Sequence, residues 1–298
     1  MFSEGLFYTG FALGSWDKGR NRGRNYIDSG VIDCRYESLR ELQLHIERGE
    51  EIQMVVNGSI ALVTGANRGL GKVFVEALLA AGASRVYAGA RQPFQPIDAR
   101  VIPLKLDITS PNEVQAAAER CQDVNILINN AGIMLNSPML SGNSAEALRR
   151  EMDVNVFGTL AMTQAFAPIL AKNGGGAIAN MLSVVSWFTL PFNATYCASK
   201  HAALAVTDAA RIQLRSQGTH VLAVYAGFID TEMASELAQP GELKTPPRQV
   251  AERTLRGIED GIDHVRADKR SEEVWNSVRN DPEGLERAMQ NVWDQRRQ

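Results

Sequence analysis

The sequence predicts an α/β fold, in which a doubly wound parallel sheet lies between two layers of helices in a three-layer α/β/α arrangement. From Ser59 onward, short apolar runs alternate regularly with longer amphipathic segments, which is the pattern of buried strands joined by helices. A glycine-rich turn follows the first of these runs. The 298 residues suffice for one large α/β domain or for two small ones. Because crossovers between parallel strands are right-handed, we expect helices on both faces of the sheet.

The elements are predicted in order from hydrophobic spacing and from signals at their ends. The first apolar run ends in a glycine and is typical of a buried strand. In the helix after it, Leu70 and Phe74 share an inward face, and further on Ser110 and Pro111 form an N-cap and first turn. Strands are predicted over 59–64, 85–89, 101–106, 124–128, 176–182 and 220–226, with a short one at Val265, and helices over 70–81, 111–120, 143–172 (in two pieces) and 195–217 and in a polar C-terminal tail.

The beginning of the chain differs from the rest in composition. Residues 1–35 are rich in glycine, aromatic residues and arginine, and the cluster of basic residues at 18–24 indicates a solvated loop or a basic patch. Residues 38–48 carry a capping-box pattern and one apolar face, which predict a helix. We therefore divide the chain into an N-terminal extension of unknown role, 1–53, and a single domain, 54–298.

Composition excludes several classes of function. The formal charge of -3 gives no global field that would favour nucleic acid or an acidic membrane surface. Three cysteines and four histidines are scattered without the spacing of a metal site or a disulfide framework. The sequence contains no run of about 18 apolar residues, so no membrane-spanning helix is predicted. We therefore expect no metal, no nucleic-acid partner, no membrane partner and a reducing, cytoplasmic setting.

The turn after the first strand predicts a nucleotide site. Glycines at 65, 69 and 71 let backbone N–H groups approach a phosphate, and the following helix offers its positive N-terminus. A glycine-rich turn made only for packing is the alternative. No acidic residue lies between Arg85 and Ile97, whereas Arg91 ends the second strand and Arg68 lies in the turn. Two arginines close to the expected position of a 2′-phosphate favour NADP(H) over NAD(H), unless Arg91 is merely a solvated charge.

Two further turns follow strands and therefore lie at the same edge of the predicted sheet. Asp107, which ends the third strand, is placed to accept a hydrogen bond from an adenine amino group or to cap the next turn. Asn129-Asn130-Ala131-Gly132 follows the fourth strand, where small and amide residues let the backbone pack on a cofactor or simply form a turn.

The residues that predict proton chemistry lie later in the chain. Tyr196 and Lys200 are four apart on a predicted helix and so share one face. A neighbouring ammonium favours the phenolate, which makes Tyr196 a usable general acid or base. Ser183 ends the preceding strand, where a hydroxyl can orient a carbonyl toward the phenol or can simply be a turn residue. Asn155 is an amide within a predicted helix, which indicates a role for its side chain or a local kink.

Taken together, these residues resemble the short-chain dehydrogenase/reductase family over about 59–231. The resemblance implies an NAD(P)-binding Rossmann domain and hydride transfer between nicotinamide and a carbonyl or alcohol carbon. It implies that Ser183 orients the substrate oxygen, that Tyr196 exchanges its proton, that Lys200 lowers the tyrosine pKa and holds the nicotinamide ribose, and that Asn155 supports a water-linked proton path. The cofactor-binding residues that it implies, beside Tyr196 and Lys200, are Gly65, Asn67, Arg68, Gly69, Leu70, Gly71, Arg91, Asp107, Ile108, Asn130, Ala131, Gly132, Gly227, Ile229 and Thr231.

Three features depart from the family pattern. Ala226-Gly227 stands where Pro-Gly is frequent after the sixth strand, and the frequent Asp-Gly-Gly ending of a later strand is missing. The segment 1–53 lies outside the pattern, and Met54 looks like a usual start for such enzymes, so we expect the extension to be dispensable. The resemblance also implies a homodimer or homotetramer that pairs through helices 153–172 and 196–217.

The loop after Ser183 predicts the kind of substrate. Residues 184–192 are mostly aromatic and aliphatic and contain no lysine or arginine. Such a loop predicts an apolar pocket wall, although several of its members, Trp187 among them, can equally be core or interface residues. We expect a carbonyl reductase that acts on a neutral, fairly hydrophobic ketone, aldehyde or secondary alcohol. The alternative is a non-catalytic NAD(P)-sensing protein on the same fold, which would not need the retained Tyr196 and Lys200.

Overall fold

The computed structural model describes residues 54–92, 94–96, 98–235 and 244–296. Within these residues, seven parallel strands form one sheet in the order β3-β2-β1-β4-β5-β6-β7. The strand order reverses between β1 and β4, and ligands bind such sheets beyond the carboxyl ends of the strands at that point. The strands are β1 (Ile60–Thr64), β2 (Arg85–Ala90), β3 (Val101–Lys105), β4 (Ile126–Asn129), β5 (Gly176–Met181), β6 (Thr219–Tyr225) and β7 (His264–Arg266).

Helices connect the strands and cover both faces. A π-helical turn, Asp153–Gly158, joins α3 to α4, so the predicted helix over 143–172 does consist of two pieces. Short 3-10 turns lie at Val184–Ser186, Pro191–Asn193 and Arg215–Gln217. The helices are α1 (Gly69–Ala80), α2 (Pro111–Arg120), α3 (Ser144–Met152), α4 (Thr159–Lys172), α5 (Ala194–Leu214), α6 (Glu232–Ser235), α7 (Pro247–Glu259), α8 (Lys269–Asn280) and α9 (Pro282–Arg296).

The hydrophobic core lies on both faces of the sheet, because neighbouring strand residues point to opposite sides. In β1, Ala61 and Val63 pack in the cluster that contains α1 and α7 residues, whereas Leu62 packs in the cluster on the other face. The second cluster also holds Met162 and Phe166 of α4. The predicted three-layer α/β/α fold class is therefore confirmed.

The individual predictions agree closely with the structure. The helix predicted over 111–120 has those bounds, and the predicted strand at Val265 is β7. The fourth strand begins at Ile126 rather than at residue 124. The predicted helix over 38–48 and the basic cluster lie outside the described residues.

One stretch of the described residues, Ser144–Lys172, is long and apolar enough to cross a membrane by length and composition, although the sequence predicted no spanning helix. Half of its apolar window is buried inside the fold. Met162, Phe166 and Leu170 are fully buried against the sheet. These contacts are those of a core helix that is covered by its own domain.

Candidate active site

The glycine turn between β1 and α1 has the geometry of a phosphate cradle. Gly65 and Gly69 have φ of +66° and +53°, in the left-handed region that favours glycine. A Cβ on Gly71 would lie 2.1 Å from the Gly65 carbonyl oxygen, so this position accepts no side chain. Asn67, Arg68 and Gly69 are exposed at the start of α1, where backbone N–H groups and the helix dipole favour an anion.

Thr64 and Asn130 fix this turn to the end of β4. The Thr64 hydroxyl accepts hydrogen bonds from the backbone N–H groups of Asn130 and Ala131, each at 3.0 Å. The Asn130 amide donates to the Thr64 carbonyl at 2.9 Å. Asn130, which was predicted to line the cofactor, therefore directs its amide group to the turn itself. Thr64 was not singled out from the sequence, because its role depends on a strand that is distant along the chain.

The two predicted phosphate-binding arginines both lie at the carboxyl edge of the sheet. Arg68 precedes α1 and forms an exposed ion pair with Glu232. Arg91 is exposed directly after β2, the strand that pairs with β1. Their placement matches the prediction, whereas their role in binding a 2′-phosphate stays a prediction.

Asp107 caps its own turn, as one of its two interpretations proposed. Its carboxylate accepts hydrogen bonds from the Thr109 hydroxyl at 2.7 Å and from the Thr109 backbone at 3.0 Å. The hydroxyl bond, the backbone bond and the charge of Arg91 together lower the pKa of Asp107, against the opposing effect of burial. The neighbouring Ile108 is buried against Gly158, where a Cβ would lie 2.7 Å from the Ile108 Cδ1.

Ser183 and Tyr196 come together at the end of β5. Ser183 caps the 3-10 turn that follows the strand, and its hydroxyl accepts from the Val185 N–H at 3.4 Å. Burial raises the pKa of Tyr196 well above its usual range, the charges of Cys197 and Glu151 raise it further, and a hydrogen bond from Ser183 opposes the rise. In the protein by itself, the phenol is therefore strongly held in its protonated form.

Lys200 lies buried one helical turn after Tyr196, with an exposed fraction of 7%. Its Nζ lies 5.7 Å from the centre of the Tyr196 ring and donates to the Met181 carbonyl at 2.8 Å. Burial lowers the pKa of Lys200 to about 8. The predicted pairing of the two side chains is thus present as geometry. Lys200 is not among the causes of the Tyr196 pKa shift, so its predicted lowering of that pKa stays a prediction.

Asn155 occupies the π-helical turn and links three parts of the site. Its Oδ1 accepts from the Ile133 N–H, and its Nδ2 donates to the Ile133 carbonyl and to the Ser199 hydroxyl, each at 2.9 Å. A Cβ on Gly132 would lie 3.1 Å from the Asn155 Oδ1 and 3.9 Å from the Lys200 Nζ. The absence of a side chain at Gly132 therefore keeps the backbone close to both catalytic candidates.

The segment after β6 runs from this group back toward the glycine turn. The Gly227 N–H donates to Asp268 at 2.8 Å, and Ile229 pairs with Thr245 in an isolated parallel bridge. The Thr231 methyl would lie 3.8 Å from a Cβ on Gly69. Residues 227–231 therefore border one continuous surface between the predicted diphosphate site and the Ser183–Tyr196 pair.

A cavity of about 520 Å³ opens beside Ser183 and Tyr196. Its walls are mainly apolar and come from the loop after β5, the segment after β6, and α9, which contributes Met289 and Val292. Arg270 of α8 is the one charged residue among the described residues that line it. Trp187 instead packs between Tyr225 and Trp275 with tilted rings, at ring-centre distances of 4.1 and 4.9 Å, which is a packing role.

A phosphate-cradling glycine turn at the switch point of a parallel sheet, beside a buried lysine and a serine–tyrosine pair, defines a dinucleotide-dependent oxidoreductase. Residues 59–241 match the short chain dehydrogenase family. A short chain dehydrogenase of Monascus purpureus is 32% identical over 206 residues, which cover 63% of this chain and 70% of that protein. Galactitol 2-dehydrogenase of Agrobacterium fabrum is 32% identical over 189 residues, covering 60% of this chain and 73% of its own. The chain belongs to the short chain dehydrogenase family.

Solved structures show the same fold. A short chain dehydrogenase from Burkholderia cenocepacia, in complex with NADP, is 41% identical with a TM-score of 0.75 and covers 79% of this chain and 99% of its own. The 3-ketoacyl-(acyl-carrier-protein) reductase from Brucella melitensis, complexed with NADH, is 27% identical with a TM-score of 0.62, covering 68% and 91%.

Proposed function

We propose that this protein is an NADP(H)-dependent oxidoreductase that acts on a hydrophobic carbonyl compound or the corresponding secondary alcohol. The observation that carries the proposal is the Ser183–Tyr196 pair at the wall of an apolar cavity, with the Lys200 ammonium 5.7 Å from the tyrosine ring. When bound, the nicotinamide cofactor supplies or accepts the hydride. The chain itself binds and orients both molecules and moves the proton.

The residues at the carboxyl edge fit a dinucleotide. Gly65 and Gly69 have left-handed φ and Gly71 admits no Cβ, so no side chain of their own covers the backbone at these three positions. Residues 227–231 continue this surface toward Tyr196, where Ile229 and Thr231 also border the cavity. Gly65, Gly69, Thr231 and the N-terminus of α1 would hold the diphosphate, and Lys200 would hold the nicotinamide ribose.

The preference for NADP(H) is proposed from charge. Arg68 and Arg91 flank the ends of the paired strands β1 and β2, and a planar guanidinium binds phosphate in a fixed geometry. The Burkholderia structure that is 41% identical contains NADP, which supports this choice, whereas the more distant Brucella structure contains NADH. The proposed preference for NADP(H) therefore rests on the two arginines.

The proton step follows from the environment of Tyr196. Because burial keeps its pKa high, the phenol is protonated at neutral pH and is ready to donate to a carbonyl oxygen during reduction. The Ser183 hydroxyl borders the same cavity as this phenol and would position the carbonyl oxygen of the substrate. Lys200, with a pKa of about 8, lies near enough to neutral pH to exchange a proton with water and to resupply the tyrosine. Asn155 fixes the surrounding backbone for this exchange.

The proposed setting is the cytoplasm. Cys121 and Cys197 are free and buried in the described residues. Burial raises the pKa of both thiols, Cys121 to about 12 and Cys197 to about 11, so neither is a reactive thiolate. Unreactive free thiols suit a reducing compartment, which supports the proposal.

The test compares the affinity of the full chain for NADPH and NADH by quenching of intrinsic fluorescence, and its turnover with a panel of ketones. The parent protein is expected to bind NADPH at least about tenfold more tightly, since each charged contact is worth about 1.5–3 kcal/mol. Arg91→Asp should reverse the preference, and the exposed Arg120→Asp should leave it unchanged. Equal affinities in the parent would refute the NADP(H) proposal, and binding without any turnover would favour the sensor alternative.

A further inference from the structure

Arg270 introduces a positive charge at a cavity whose walls are mainly apolar. It lies in the first turn of α8, far along the chain from Ser183 and Tyr196, yet it lines the same cavity of about 520 Å³. Its stem packs against the Gly227 backbone, where an added Cβ would lie 2.7 Å from the Arg270 Cγ and 2.9 Å from its Cβ. The guanidinium is therefore anchored at the cavity wall by a packed stem.

No carboxylate within the described ranges forms an ion pair with Arg270. Asp268, two residues before it, is occupied, because its carboxylate accepts from the N–H groups of Gly227 and Ser271 and from the Thr245 hydroxyl. The neighbouring cations differ: Arg266 pairs with Glu272 at 2.7 Å, and Lys269 pairs with Glu273 at 3.5 Å. Arg270 thus differs from Arg266 and Lys269 in having no carboxylate partner among the described residues.

Arg270 is an exposed residue, but a guanidinium is more weakly hydrated than an ammonium and matches a carboxylate in a two-point geometry, so it can bind an anion at the cavity wall. We propose that Arg270 binds an anionic group of the substrate, which makes the substrate a hydrophobic carbonyl compound that carries a carboxylate. This inference rests on the proposed reductase function. It replaces the neutral substrate that the cation-free loop 184–192 predicted, because the charge comes from a different element.

The cofactor diphosphate is a second source of the same anionic chemistry. The substrate is favoured because the glycine turn and α1 already offer backbone donors to the diphosphate at the other end of the site. Arg270, by contrast, borders the cavity that holds the Ser183 and Tyr196 side chains. The experiment below separates the two sources.

The test uses the full chain with NADPH and a homologous series of aliphatic oxo acids, together with their methyl esters. Arg270→Met keeps the stem that packs on Gly227 and removes the charge. Lys269→Met is the matched control, because it removes the same charge from an adjacent exposed side chain outside the cavity. Binding of unreactive alkanoates to the NADP⁺ complex, measured by calorimetry, supplies a readout that does not depend on turnover.

We expect the parent protein to prefer an oxo acid over its ester, and Arg270→Met to lower kcat/KM for the acid by about tenfold to a hundredfold, the range for a charge-assisted contact. Arg270→Met should not change kcat/KM for the ester, and Lys269→Met should not change kcat/KM for either substrate. Alkanoate binding should weaken by a similar factor in Arg270→Met. If this happens while no carbonyl compound of the series is reduced, the absence of reduction counts against the reductase function alone. The proposal would be overturned if the parent used the acid and the ester equally well, or if the parent bound no alkanoate. It would also be overturned if Arg270→Met bound NADPH more weakly and lost kcat/KM equally for acid and ester.

Discussion

The ammonium of Lys200 is buried behind the Tyr196 ring, with the Met181 carbonyl as a hydrogen-bond acceptor. Burying a charge is costly, and the lowering of its pKa to about 8 measures that cost. A residue that lowers stability and yet is held rigidly in the site is expected where function requires the charge.

Lys200→Met should therefore stabilise the fold while it impairs the enzyme. Below pH 8 the folded parent carries the buried charge, whereas above its folded pKa of about 8 it loses this proton before the unfolded chain does, at 10.5. The stability advantage of the variant should thus be largest below pH 8 and shrink by ~3 kcal/mol between pH 8 and 10.5. Urea unfolding at a series of pH values measures it, with the exposed Lys72→Met as control. Parallel pH profiles for variant and parent would contradict the buried-charge account.

Sequence patterns could predict the residues whose partners lie nearby in the chain or at strand ends. Tyr196 and Lys200 are one helical turn apart, and Ser183 follows a strand, so helix and sheet periodicity alone bring them to one edge. Arg270 and Thr64 could not be predicted in this way, because their contacts with Gly227 and Asn130 come from distant segments. Glu151 was missed for the same reason: its carboxylate accepts from the Leu135 N–H at 2.7 Å, and burial raises its pKa.

At the scale of elements, the glycine turn between β1 and α1 depends on the close approach of β1, α1 and β4. The Gly65 carbonyl lies beneath α1 at Gly71, and Asn130 donates to the same stretch from the end of β4. Three elements therefore meet at Gly71, where not even a Cβ fits.

Gly71→Ala should disrupt that meeting point. The added Cβ would lie 2.1 Å from the Gly65 oxygen and 2.6 Å from the Asn130 amide nitrogen, so α1 must move away from the turn. We expect a loss of about 1–3 kcal/mol in the free energy of unfolding, as for other overpacked sites, and at least a tenfold loss of NADPH affinity. Gly142→Ala is the control, since its added Cβ meets no atom within 4 Å. Unchanged NADPH affinity in Gly71→Ala would show that the turn does not hold the cofactor.

The π-helical turn shows the limit of prediction at this scale. A break within 143–172 could be expected, because Asn155 is a poor helix former. Within this turn, Asn155 makes paired hydrogen bonds with Ile133, which belongs to the segment after β4. Local sequence contains no information about that partner.

At the scale of the whole molecule, strand–helix alternation predicted a parallel sheet with helices on both faces, because strands that alternate with helices pair in parallel. The closure of the cavity by α8 and α9 was not predicted. The sequence of the C-terminal tail predicts a helix but not where it packs. Met289 and Val292 reach the cavity only through the tertiary position of α9.

The extension 1–53 is expected to be dispensable for catalysis, because the family match begins after it, at residue 59. A chain that starts at Met54 should keep the Tm of the full chain within a few degrees and the same kcat/KM. Thermal unfolding and NADPH consumption measure the two quantities. Complete loss of activity in the shortened chain, with its fold retained, would assign a functional role to the extension.

The homodimer or homotetramer also stays a prediction. Ile212 of α5 and Phe157 of the π-helical turn are 77% and 56% exposed, although both are large and apolar. We expect the full chain to assemble through these helices and Ile212→Glu to shift it toward smaller species, as measured by light scattering after size exclusion. The exposed Asn276→Glu in α8, outside both helices, is the control for an added negative charge. A monomeric parent protein would refute this interface.

Tyr196→Phe tests the central claim most directly, by measuring NADPH consumption with the best carbonyl substrate. Phenylalanine keeps the ring beside Lys200 and removes only the hydroxyl that faces the same cavity as Ser183. Because positioned acid catalysis contributes about 10²- to 10⁴-fold, kcat should fall by that factor while NADPH affinity stays within about twofold of the parent. Turnover that survives the substitution undiminished would contradict the assignment of Tyr196 as the proton donor.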